Sequence, residues 1–236
     1  MESQAPDVPA VPWTTRDVWW GLAAFGLWLA MFVVSAPLLQ TVLTRLDVGV
    51  VITMGELLLL LPVWWLTGRK YGVGWAALGL RPFPAAALGL GLALMLVSFG
   101  FNLLYGLFLL LFDLRIQVDL VPIFSRLSSP WWFLAGGAVI APLAEELFFR
   151  GFLFAGLRRR FGWQRGMVIS AALFALLHFT PTAILPIFIL GCIFAFLYQR
   201  SASLWPSILM HMLTNSLALG AAYFLANAEA WGLSVG

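Results

Sequence analysis

No charged residue lies between Arg81 and Asp113. That stretch is longer than the roughly 20 apolar residues that carry an α-helix across the hydrocarbon of a bilayer. Lipid offers a backbone no hydrogen bonds, so each crossing segment must satisfy its own N–H and C=O groups, which a helix does. Similar runs recur along the chain. Of its 236 residues 62% are hydrophobic and 10% charged, against about 25% charged in soluble domains. The reading is all-α, a polytopic transmembrane helix bundle.

Seven spans are expected, over residues 18–43, 48–66, 85–112, 130–157, 166–179, 182–198 and 204–227. The fifth and sixth are short enough that six to eight remain open. Four parts follow: a disordered tail over 1–17, an N-terminal transmembrane region over 18–129 with about three spans plus interfacial segments, a second transmembrane domain over 130–227, and a tail over 228–236. The apolar run after residue 17 exceeds a cleavable signal core, so the first span is read as retained. Within 67–84, Trp75, Leu78, Leu80 and Phe83 suggest a strip lying in the membrane interface. Asn102 is expected to hydrogen-bond between helices. The single cysteine, Cys192, leaves no intrachain disulfide.

The net charge of +3 is a matter of topology rather than of nucleic-acid binding, because the basic residues cluster in short connections. With seven spans one side collects Arg16, Arg69, Lys70, Arg81, Arg158, Arg159, Arg160, Arg165 and Arg200, and the other only Arg45, Arg115 and Arg126. The positive-inside rule then puts the N-terminus in the cytoplasm and the C-terminus outside, in the plasma membrane of a prokaryote.

Ionisable groups inside a bilayer cost about 2.5–3.5 kcal/mol each on insertion scales and are functional-site candidates by default. Glu56, Glu145, Glu146, Arg150 and both histidines of the chain, His178 and His211, fall within the expected spans. Glu146 and Arg150 are four apart, in the order that suits an intrahelical ion pair. Glu145 is rotated about 100° from Glu146 and is free to face a cavity. Phe174 and His178 share a four-residue spacing, as do His211 and Asn215. A carboxylate beside a histidine can activate water and return its proton to a leaving amine, and two converging donors can stabilise an oxyanion. Glu56 is read as a partner of a neighbouring span or of Arg150. No Gly-x-Ser motif pairs with a histidine for serine chemistry, and no pair of intramembrane aspartates exists for aspartyl chemistry.

The three motifs, Glu145-Glu146-x-x-x-Arg150, Phe174-x-x-x-His178 and His211-x-x-x-Asn215, resemble in order those of the CPBP intramembrane protease family, also called the CAAX protease and bacteriocin-processing or Abi family. The resemblance covers about residues 130–220, with Leu78-Gly79-Leu80-Arg81 similar to the region before that domain. It implies an intramembrane metallo-endopeptidase, CAAX-protease-like, in which Glu145 activates water, His178 exchanges protons with it, His211 and Asn215 bind the oxyanion, and Glu146 and Arg150 support the architecture. Its substrate would be a peptide or protein at the membrane, lipid-modified in some members, with the bilayer as the other partner and no nucleic acid. No cofactor is certain. If zinc is used, Glu145, His178 and His211 are its candidate ligands, although no His-Glu-x-x-His is present and a Glu-activated water without zinc is the preferred reading. The alternatives are a non-catalytic bacteriocin-immunity or scaffolding protein of the same fold, and a proton-coupled transporter, which the lack of internal repeats disfavours.

Overall fold

The computed structural model describes residues 8–42, 48–116, 120–124, 127, 129–228 and 231. Every regular element among them is helical. We number seven helices: α1 Thr15–Val42, α2 Gly49–Arg69, α3 Ala86–Leu110, α4 Pro130–Phe161, α5 Trp163–Leu176, α6 Ile184–Ser201 and α7 Trp205–Asn227. Six candidate spans among the described residues are long and apolar enough to cross a membrane, and α5 is not one of them. At 14 residues it is about 21 Å long, short of the roughly 30 Å of hydrocarbon. It still runs between the two ends of the bundle in alternation with α4 and α6, so the expected seven passes become six long helices and one short one.

The centre of the bundle is α4. From Glu146 to Phe154 its hydrogen bonding is π-helical and every residue is buried. A helix buried on all faces belongs in a core rather than against lipid, and α1, α2, α5, α6 and the 75–78 turn all pack on this stretch. Gly151 permits one such approach, since a Cβ there would stand 2.8 Å from the Leu78 carbonyl oxygen. The expected interfacial strip is therefore half right. Trp75 stays exposed, but Leu78 is buried against α4 as part of a short 3₁₀ turn, because the chain folds inward at Gly79, whose φ of +106° suits only glycine.

Residues 8–17, expected as tail, are packed. Trp13 is fully buried and its Nε1 donates to the Phe152 carbonyl at 2.9 Å. The Asp17 carboxylate caps Thr14 and accepts from Lys70 and Tyr71. A buried indole and a carboxylate with four donors leave this segment little freedom. The Asn102 Oδ1 is buried without a hydrogen-bond partner, contrary to the expected helix–helix bond.

Contacts sort the loops to two ends. At one end Arg158 and Arg159 donate to the carbonyls of Pro9, Val11 and Pro12, Lys70 pairs with Asp17, and Ser203 Oγ donates to the Arg81 carbonyl. At the other, Thr182 Oγ1 donates to the Ile116 carbonyl and Trp131 meets Tyr223. The basic connections thus share one end of the bundle. Of the three basic residues expected opposite, Arg45 and Arg126 lie outside the described residues.

Candidate active site

Four helices bring the polar groups together. Glu146 and Arg150, both fully buried, pair at 2.8 Å between Glu146 Oε1 and Arg150 Nη1. The guanidinium lies over the Phe174 ring at 4.1 Å, with the Phe194 ring at 5.3 Å, so aromatic faces cover its remaining surface. Its Nη2 reaches the Gly191 carbonyl at 3.4 Å. Removing either charge would leave the other unpaired in a dry interior, which costs about 3–5 kcal/mol.

His211, on α7, sits between the two glutamates. Its Nδ1 is 3.1 Å from Glu146 Oε1 and its Nε2 is 3.6 Å from Glu145 Oε2. Its ring stacks on Phe194, with centroids 4.9 Å apart. An ionised carboxylate only accepts, so the Nδ1 proton donates to Glu146 and Nε2 faces Glu145. Glu145 keeps 17% of its side chain exposed while Glu146 keeps none, but Glu145 reaches the site through His211 and is not itself among the residues that line the cavity.

His178 is not on its helix. The helix α5 ends at Leu176, and Phe179 takes a left-handed φ of +52°, turning the chain so that His178 is exposed. Its Nδ1 donates to the Phe174 carbonyl at 2.7 Å, so in the neutral ring the lone pair is on Nε2. Asn215 Nδ2 donates to the Gly137 carbonyl at 2.8 Å, leaving one N–H and its carbonyl oxygen uncommitted by that bond.

His178, His211 and Asn215 line one cavity of about 420 Å³, and Glu56 of α2 lines it with them. Most of the remaining wall is apolar, including Phe174, Leu190 and Phe194. The expected Glu56–Arg150 pairing is not found, since Arg150 is taken by Glu146. Glu56 instead stands close enough to Glu145 for their charges to oppose. Sequence reasoning also missed Phe194, which packs on both Arg150 and His211. Nothing in the sequence separates it from the other phenylalanines, of which there are 20 in all.

The three expected zinc ligands are not gathered at one centre among the described residues. A catalytic zinc takes three protein ligands about a common centre. Glu145 and His211 Nε2 approach one another, and both histidines spend Nδ1 on another acceptor, which leaves Nε2 of each as the ligating atom. Among the described residues no group of three or more His, Cys, Asp or Glu is placed to hold a metal ion.

Comparison with known proteins agrees with the motifs. Residues 127–217 match the family model for type II CAAX prenyl endopeptidases, Rce1-like. A candidate membrane peptidase, YdiL, of Bacillus subtilis (strain 168) is 28% identical over 82 residues, which is 35% of this chain and 34% of that protein. The chain thus covers about a third of that relative's length. No solved structure matches it significantly. The two matches and the three ordered motifs together support the CPBP intramembrane protease family for the C-terminal half of the chain.

Proposed function

We propose that this protein is an intramembrane endopeptidase that hydrolyses a peptide bond at or near the membrane through a glutamate-activated water. The observation that carries the reading is the apolar cavity that takes His178 from the end of α5 and His211 and Asn215 from α7, with Glu145 against His211. Such groups are costly in a bilayer and have no shared structural task.

In this mechanism Glu145 takes a proton from water as its oxygen attacks the carbonyl carbon. The proton then passes to the leaving amine, with His178 Nε2 as the exchanging partner. The oxyanion is held by the uncommitted N–H of Asn215, and by His211 Nε2 when that ring is protonated. Glu146 and Arg150 fix the His211 ring and the backbone beneath Glu145. No step in this reading uses a metal. The substrate is a peptide or protein segment in the membrane, and a prenylated peptide is the first class to test because the matched family model is of prenyl endopeptidases. We place the basic end of the bundle, with the N-terminus, in the cytoplasm of a prokaryote.

The test is cleavage of a prenylated CAAX peptide and of unmodified membrane peptides by the purified chain in liposomes, with and without chelator. Chelator-resistant cleavage that Glu145→Ala abolishes is the expected result. Cleavage that survives Glu145→Ala would remove the mechanism, and an unchanged biological effect of that variant in cells would favour a binding role.

A further inference from the structure

At the basic end of the bundle, away from the cavity, Arg81, Arg158 and Tyr198 form a cluster rich in donors, with no acid paired to it among the described residues. Tyr198 is fully buried, and its Oη lies beside the Arg81 side chain, a donor, so that its own proton has no acceptor. The Arg81 Nε is buried and equally unpartnered. Arg158 spends its guanidinium on neutral acceptors, Gln199 Oε1 at 3.1 Å and the Pro9 carbonyl at 3.0 Å, and the charges of Arg81 and Arg158 oppose each other. Two partly buried cations of like sign without a carboxylate are unfavourable on their own, and buried donors are normally satisfied.

The cluster is built rather than incidental. The Ser203 hydroxyl donates to the Arg81 carbonyl at 2.6 Å, and the Leu204 N–H donates to the Gly79 carbonyl at 2.8 Å. The Tyr198 ring lies against Gly79, where a Cβ would stand 2.6 Å from Cε2. Phe154 meets the Tyr198 ring edge-on and lies under the Arg158 guanidinium. These contacts pin the 79–81 turn, α4 and α6 to one another. Beside Arg81 an open, mostly apolar groove runs along Leu80, Pro82, Phe83 and Trp205.

We propose that this cluster binds the phosphate of an anionic membrane lipid, with the acyl chains in the groove beside Arg81. Guanidinium groups hold phosphate oxygens by paired, charge-assisted hydrogen bonds, and basic pockets between helices at the cytoplasmic surface are where anionic headgroups bind. The phosphate oxygens supply the acceptors that Tyr198 Oη and Arg81 Nε lack. The adjoining apolar groove favours a lipid over free phosphate. The site is independent of the hydrolytic reading.

The test is native mass spectrometry of the purified full chain, titrated with phosphatidylglycerol, phosphatidylcholine or inorganic phosphate. Phosphatidylglycerol should bind at least about tenfold tighter than phosphatidylcholine. Arg81→Gln and Arg158→Gln should each reduce that preference several-fold. Arg159→Gln, which alters a neighbouring cation bonded to Val11 and Pro12 carbonyls, should leave it unchanged. Tyr198→Phe keeps the ring packing and carries the test should an arginine variant unfold; it should lower the preference about threefold. Equal binding of both lipids, an equal loss in Arg159→Gln, or binding of inorganic phosphate without any lipid preference would each overturn the assignment.

Discussion

His211 Nδ1 and Arg150 Nη1 converge on one oxygen of Glu146, at 3.1 and 2.8 Å. The fully buried carboxylate therefore fixes a histidine of α7 and an arginine of its own helix at once. The sequence spacing of Glu146 and Arg150 anticipates their pair, but nothing in it joins either to His211.

That shared oxygen makes the three residues a unit. Glu146→Leu and Arg150→Met alone should each destabilise by about 3–5 kcal/mol, because each leaves a buried charge unpaired. The double variant should lose clearly less than the sum. Thermal unfolding of the four proteins in one detergent measures the coupling; additive losses would show that the pair is not felt.

Glu145 and His178 are more exposed than the fully buried Glu146 and Arg150. Glu145→Ala and His178→Ala should abolish cleavage while leaving melting temperature and insertion near wild type, since neither holds a buried ion pair of its own. Undiminished turnover by either would refute its assigned role. A large fall in melting temperature would instead assign it to structure.

Asn215 holds Gly137 of α4 through one donor and offers the other to the cavity. Asn215→Leu should cost about 0.6–1.7 kcal/mol, the range for hydrogen bonds between membrane helices. It should lower kcat by about 10²–10³, the loss of one oxyanion donor, with little change in KM. A variant that raises KM alone would place Asn215 in substrate binding rather than in the transition state.

At Gly191 an added Cβ would stand 3.0 Å from the Ala171 Cβ and 3.4 Å from Arg150 Nη2. Gly191→Ala should therefore part α5 from α6 and disturb the guanidinium, at a cost of about 1–3 kcal/mol. Unfolding measurements on this single variant check the packing that surrounds the pair. An unchanged stability would mean that the α5–α6 contact yields freely.

The sequence by itself determined that the chain lives in a bilayer, that it is helical, and where most spans run, because uninterrupted apolar length admits few other solutions. It also gave the inventory of the site, since charges in such runs are rare and each costs energy. Spacing within one helix was equally legible, as Glu146 and Arg150 show. What only the tertiary structure decided depends on contacts between helices. These are the placing of His211 between both glutamates, the entry of Glu56 into the cavity, the stacking of Phe194, the exit of His178 from its helix at a left-handed Phe179, and the burial of Trp13 in a segment that reads as tail. Each rests on a neighbour far along the chain, and apolar patterning carries no record of which faces meet, because lipid-facing and helix-facing positions are both apolar.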